Sequence, residues 1–129
     1  MLTRIKKLLQ DNAFYIAILI TVGIGVLSFI KMPKVEELYM SSSDKLYHGI
    51  AYFFLTLSWL YTILEKEQFY TKVKYVLVGC LIYGIIIEVL QTAITSYRTA
   101  SYLDALANSA GIVVAVLAFH LFEKKIRFN

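Results

Sequence analysis

Four long runs of apolar residues decide what this chain can become. They cover residues 14–30, 46–64, 75–95 and 103–122. At a helical rise of ~1.5 Å per residue, each run crosses or nearly crosses a hydrocarbon layer about 30 Å thick. Tilt and interfacial aromatic rings absorb the small mismatches. Apolar residues make up 59% of the chain, against roughly 45–50% in ordinary soluble domains, and its mean hydropathy is +0.66. No polar stretch is long enough to bury a core of its own. The expectation is a single all-α domain over residues 1–129, a polytopic membrane protein built as a bundle of four transmembrane helices.

The first run follows Arg4, Lys6 and Lys7, a basic front like that of a signal peptide. Its apolar stretch exceeds the usual ~7–15 residues, and no small-x-small site follows, so it is read as a retained span. The basic residues then set direction. Nine of them (Arg4, Lys6, Lys7, Lys66, Lys72, Lys74, Lys124, Lys125 and Arg127) fall on one side of a four-span chain. Four (Lys31, Lys34, Lys45 and Arg98) fall on the other. Both termini are therefore expected in the cytoplasm, with residues 31–45 and 96–102 facing outward. The net charge of +4 sits in these connections and tails, which speaks for membrane orientation and against nucleic-acid binding. The single Cys80 excludes an intrachain disulfide and is read as packing. His120 is read as interfacial.

Against this apolar background a few polar residues stand out. Intramembrane ionisable groups are costly, so they usually face the bundle interior and have partners. Glu88 lies seven residues before Thr95, ~10 Å inward at helical rise. Gln91 follows it at i+3 on the same face, and Gly84 precedes it by one turn. The flanking Ile85, Ile86, Ile87, Val89 and Leu90 mostly suit lipid. The second run brings Asp44 and His48 at i, i+4, continuing through Tyr52, Thr56 and Trp59. The fourth brings Asp104 and Asn108 at i, i+4, then Gly111 and Ala115, a small-xxx-small pair that permits close helix approach. The Ser41-Ser42-Ser43-Asp44 stretch is a helix-start signal that places the second helix start near Asp44. With alternating directions, Asp44, His48, Glu88, Gln91, Arg98, Asp104 and Asn108 all collect at the outer end. The first span carries no charge and serves as a packing partner.

His48, Glu88 and Asp104 are the candidates for acid–base work, since an imidazole with an ordinary pKa of ~6.5 suits proton transfer. Asp44, Lys45, Gln91, Arg98 and Asn108 are the candidates for ligand binding. Arg98 suits a phosphate or carboxylate because its guanidinium offers bidentate, permanently charged donors. Each also has a structural alternative: Asp44 and Asp104 as helix caps, Lys45 as a snorkelling interfacial cation, Glu88 with Arg98 as an ion pair, and Asn108 as interhelical glue. One imidazole with two carboxylates suits several divalent ions. With a single His, no thiolate nearby and no HExxH pair, however, no metal is expected. No phosphate loop, nucleophile elbow or dinucleotide fingerprint is present, and no cofactor is expected.

Three blocks carry the polar positions: Asp44-Lys45-Leu46-Tyr47-His48-Gly49-Ile50-Ala51-Tyr52; Gly84-Ile85-Ile86-Ile87-Glu88-Val89-Leu90-Gln91; and Arg98 followed by Asp104-Ala105-Leu106-Ala107-Asn108-Ser109-Ala110-Gly111. In this order and spacing they resemble the VanZ-like family of bacterial membrane proteins, over residues 43–114. The resemblance implies a multi-pass protein of the bacterial inner (plasma) membrane. The family's namesake is associated with low-level resistance to the glycopeptide teicoplanin, so the expected partners beyond the lipid bilayer are a lipid-linked envelope precursor or a glycopeptide-related ligand. Two principal functions stay open: an outward-facing site for an envelope lipid or glycan-precursor headgroup, catalytic or not, and a non-enzymatic membrane partner subunit whose polar cluster is structural. A small transporter is a third, disfavoured by the lack of a charged relay across the inner half.

Overall fold

A computed structural model describes the backbone of residues 1–29, 41–64, 69–94 and 102–127, and the side chains of 1–29, 46–64, 70–94 and 103–123. The described residues form five helices: α1 (Leu2–Asp11), α2 (Ala13–Phe29), α3 (Ser41–Ile63), α4 (Phe69–Ile94) and α5 (Tyr102–Arg127). Three helices outrun the apolar runs that predict them. α3 begins at Ser41, not near Asp44. α4 begins at Phe69 and takes Lys72 and Lys74 into the helix. α5 continues to Arg127, past the last apolar residue of its run.

Residues 2–11, which the sequence offers only as a basic tail, form α1. Asn12 ends it. The Asn12 amide N–H and its side-chain Nδ2 both donate to the Leu8 carbonyl, at 3.2 and 2.8 Å, while the Asn12 carbonyl accepts from the Ile16 N–H at 2.9 Å. Asn12 thus closes the last turn of α1 and opens the first turn of α2 at the break. The axes of α1 and α2 differ by 64° there.

Two segments, Tyr70–Ile94 and Leu103–Glu123, are each long and apolar enough to cross a membrane. The bent pair Leu2–Asp11 and Ala13–Phe29 qualifies as a third when taken together. α2 alone is 17 residues long. α3 is not among these segments, since its Tyr, His, Thr, Ser and Trp residues lower its mean hydropathy.

Side-chain contacts fix the relative senses of α2 to α5. His48 meets Asn108 near the starts of α3 and α5, and Leu60, Leu64 and Phe119 cluster near their far ends, so these two helices run parallel. α4 runs against them, with Glu88 near its end facing His48 near the start of α3. α2 runs with α4: its Thr21 carbonyl accepts from the Tyr83 hydroxyl at 2.5 Å, and its Ser28 carbonyl accepts from Gln91 Nε2 at 2.6 Å. Trp59 Nε1 donates to Thr21 Oγ1 at 2.9 Å, tying α3 to α2.

The most extensive interface joins α3 and α5. Its closest approach is at Gly111, where an added Cβ would fall on the carbonyl of Gly49. Ala115, one turn on, is fully buried. The small-xxx-small pair does what its spacing predicts: at Gly111 it lets the two helix backbones come together. Tyr52, Leu55, Cys80 and Ile112 form the upper part of the core, and Leu60, Leu64 and Phe119 the lower part. The outer surfaces of α4 and α5 are apolar and exposed, at Ile82, Ile85, Ile86, Val89, Val113, Val114, Leu117 and Leu121 among others. Ile87, grouped with the lipid-facing residues in the sequence, is buried instead, since it shares the inward face with Gly84 and Gln91.

Candidate functional site

Three helices each deliver a polar side chain to one end of the packed helices. α3 presents His48, two turns into the helix. α4 presents Glu88, two turns before its end. α5 presents Asp104 in its first turn and Asn108 one turn later. An acidic residue in a first turn also complements the positive end of the helix dipole. The antiparallel sense of α4 brings these residues to a common depth.

His48 is the hub. Its Nδ1 lies 3.1 Å from Asn108 Oδ1 and 3.8 Å from Glu88 Oε1. The Asn108 oxygen can only accept, so this contact is a hydrogen bond when Nδ1 is the protonated ring nitrogen. Glu88 and Asp104 are both buried, at 6% and 4% exposure, and Asn108 is buried too, while the His48 side chain keeps 16%. His48 is thus the member of the cluster that solvent or a ligand reaches most readily. His48, Glu88 and Asp104 each place a ligating atom so that all three lie within 4.8 Å of one another. The sequence expects no metal because it offers a single imidazole here. These three groups nevertheless meet at a spacing that a divalent ion could bridge with modest rotations.

Buried donors surround the cluster. Among the described residues, Asn108 Nδ2 and the Tyr52 hydroxyl are both buried without a hydrogen-bond partner. Gly84 makes room for them: a Cβ there would lie 3.2 Å from the Tyr52 ring and 3.3 Å from Asn108 Nδ2. Buried polar groups normally find partners, so two unused donors beside the His48, Glu88 and Asp104 cluster mark a place where an acceptor is welcome. Tyr52 is absent from the sequence-derived site, although it continues the stripe that begins with Asp44 and His48.

Gln91 is buried on the same face of α4 as Glu88, and its side-chain nitrogen is engaged with Ser28 of α2. Asp44 and Lys45 fall in the first turn and a half of α3, but their side chains lie outside the described residues, as does Arg98. An apolar cavity of about 420 Å³ lies lower, between α2, α3 and α4, bordered by Thr21, Trp59, Cys80 and Tyr83. None of the sequence-derived site residues lines it.

A second polar group sits at the opposite end, and sequence reasoning missed it. Glu123 of α5 is buried, accepts from the Tyr70 hydroxyl at 2.5 Å, and has His120 Nδ1 at 3.8 Å. The His120 side chain is 67% exposed, in keeping with its reading as an interfacial residue. The only sequence signal was the i, i+3 spacing of His120 and Glu123 just beyond the last apolar run.

No family model matches the chain, and neither curated proteins nor solved structures yield a match.

Proposed function

We propose that this chain is a four-span protein of the bacterial inner membrane, VanZ-like in kind, with both termini cytoplasmic. In this reading its outward-facing polar cluster binds the headgroup of an envelope lipid or a glycan precursor. The observation that carries the reading is the convergence of His48, Glu88, Asp104 and Asn108 from three helices into one buried cluster. A cluster that costs so much desolvation is retained in a membrane protein where it handles a polar or charged ligand. The unused donors of Asn108 and Tyr52 favour a ligand rich in acceptor oxygens. Arg98 and Lys45, on the outer side by the count of basic residues, supply the positive charge that a phosphate or carboxylate requires. Within such a site His48 and Glu88 form the acid–base pair, His48 handling the proton and Glu88 holding the ring.

The first two apolar segments count as spans here because lipid tolerates the polar residues of α3 when they face inward. Its buried Tyr52 and Thr56 do so. The resemblance to the VanZ-like family extends the proposal to low-level teicoplanin tolerance, read as the change in inhibitory concentration when a sensitive host expresses the chain.

Native mass spectrometry tests the binding directly. The protein is released from detergent in the presence of envelope lipids, and wild type is compared with Arg98→Ala. A specific adduct on the wild type that the variant loses supports the headgroup site. No adduct on either folded protein overturns it and favours the partner-subunit reading, in which the His48–Asn108 and Gln91–Ser28 bonds simply hold the helices together.

A further inference from the structure

Helix α1 has no role in the site, and its surface is unlike that of the other four. At 100° per residue, Leu2, Ile5, Leu8 and Leu9 fall along one face, while Thr3, Arg4, Lys6, Lys7, Gln10 and Asp11 fill the other. The apolar face is not packed against the rest of the molecule: its four side chains are 46–83% exposed, and no residue of α1 is buried. The polar face holds three cations and one anion. The 64° bend at Asn12 turns this helix away from the axis of α2, and the Asn12 hydrogen bonds make the bend a formed corner. If α2 stands across the membrane, α1 runs much closer to the membrane plane than to its normal.

We propose that α1 is a surface anchor that lies in the headgroup layer of an anionic membrane, with Leu2, Ile5, Leu8 and Leu9 immersed among the upper acyl carbons and Arg4, Lys6 and Lys7 against lipid phosphates. An anionic lipid surface is the occupant that this face fits. It supplies hydrocarbon on one side and negative charge on the other within the ~10–12 Å diameter of one helix. The lysines and the arginine reach phosphates from a helix at this depth because their aliphatic stems lie along the interface while the charges stay wet. Continuity with α2 holds α1 at the surface, so its local concentration there is high without any affinity of its own. The charge on its polar face then sets how firmly it docks, by about fivefold per cation on an anionic surface. The inference rests on the reading of α2 to α5 as membrane-spanning.

Site-directed spin labelling of the full chain in lipid nanodiscs tests it. Single cysteines replace each of residues 2–10 in a Cys80→Ala background whose helicity is verified, and one more replaces Val113 on the exposed face of α5. Accessibility to oxygen and to a water-soluble nickel complex gives the depth of each label. In discs containing phosphatidylglycerol, depth should oscillate with a period of ~3.6 residues, with labels at 5, 8 and 9 among the acyl chains and labels at 6, 7 and 10 in water. Amide exchange across residues 5–11 should slow at least tenfold relative to discs of phosphatidylcholine alone. Water-like accessibility at every α1 position, with the Val113 label deep, overturns the anchor and leaves the spanning reading intact. Depth that changes steadily from 2 to 10 overturns it in favour of a broken span, and oscillation of equal amplitude in both lipids overturns the anionic preference. Spin–spin broadening at positions 5 and 9 overturns it in favour of a second copy. A Val113 label in water overturns the spanning reading itself.

Discussion

His48 and Asn108 meet across the α3–α5 interface at 3.1 Å, beside the point where the backbones of Gly49 and Gly111 make their closest approach. The two contacts are neighbours in sequence as well. Gly49 follows His48, and Gly111 lies one turn beyond Asn108. The glycine crossing sets the interhelical distance at which an imidazole and an amide can touch without a bridging water. Site geometry and helix packing are therefore one structural fact, and substitutions on either side of it separate the two consequences.

Asn108→Ala removes the acceptor from His48 Nδ1 and leaves Gly111 in place. Interhelical hydrogen bonds in membranes are worth about 0.6 kcal/mol on average, and the strongest reach about 1.7. The expected loss is therefore about 1 kcal/mol in reversible unfolding in mild detergent, with helicity unchanged. Loss of this contact should also shift the His48 ring resonances in the NMR spectrum, while Glu88 stays 3.8 Å from Nδ1. An unfolded protein would show that the bond carries the fold itself.

Gly111→Ala should be far more damaging than Gly49→Ala, although both change one end of the same crossing. The new methyl at 111 has no space, because it meets the Gly49 carbonyl and not a movable side chain. At 49 the nearest atom is the Ala107 carbonyl at 3.6 Å, an ordinary contact. Forcing the helices apart costs at least about 2 kcal/mol by analogy with overpacked cores. Gly79→Ala, with nothing within 4 Å of its Cβ, serves as the neutral control. Thermal unfolding of the three variants side by side checks the order.

These two cases show where the sequence is legible and where it is not. Glu88, Asp104, Asn108 and His48 are visible in the sequence because a polar residue in an apolar run stands out by contrast, and alternating helix directions then sort them to one end. Gly111 is visible through its spacing from Ala115. Its partner Gly49 is not, because a pairing across two helices depends on their register, which no single run contains. Helix α1 escapes for another reason: ten residues of mixed charge look like a tail until the period of Leu2, Ile5 and Leu9 is counted. Glu123 escapes because it lies just past the last apolar run, where a carboxylate is unremarkable unless a tyrosine 53 residues away covers it. Asp44, Lys45 and Arg98 carry positions in the proposed site from the sequence alone.

Tyr70→Phe tests that covering tyrosine. It removes the hydroxyl that donates to Glu123 Oε1 and keeps the ring, so the buried carboxylate loses its described donor. A buried acceptor left without its partner costs about 1–3 kcal/mol, more when charged. The variant should lose stability by that amount and leave any binding at the proposed headgroup site as it is in wild type, because Glu123 lies at the far end from Glu88. Tyr70→Phe combined with Glu123→Leu should recover much of the loss, since removing both polar groups can be nearly neutral. Unfolding in detergent and the native mass spectrum of each variant read the two properties separately.

Glu88→Gln separates the two functions open to the cluster. Glutamine has nearly the shape of glutamate, and its carbonyl can still face the His48 ring, so the packing of α3 against α4 survives. What disappears is the ionisable carboxyl group 3.8 Å from His48 Nδ1. If the carboxylate orients the ring and assists proton transfer on a bound headgroup, the variant folds normally, still binds lipid through Arg98 and Lys45, and loses turnover or phenotype by 10²-fold or more, the typical contribution of a positioned acid or base. If the cluster is a structural tie, the same variant loses about 1 kcal/mol or less of stability and keeps whatever phenotype the chain confers. Measuring unfolding and teicoplanin tolerance on the one variant decides between them, because the acid–base reading requires the phenotype to fall while the fold holds.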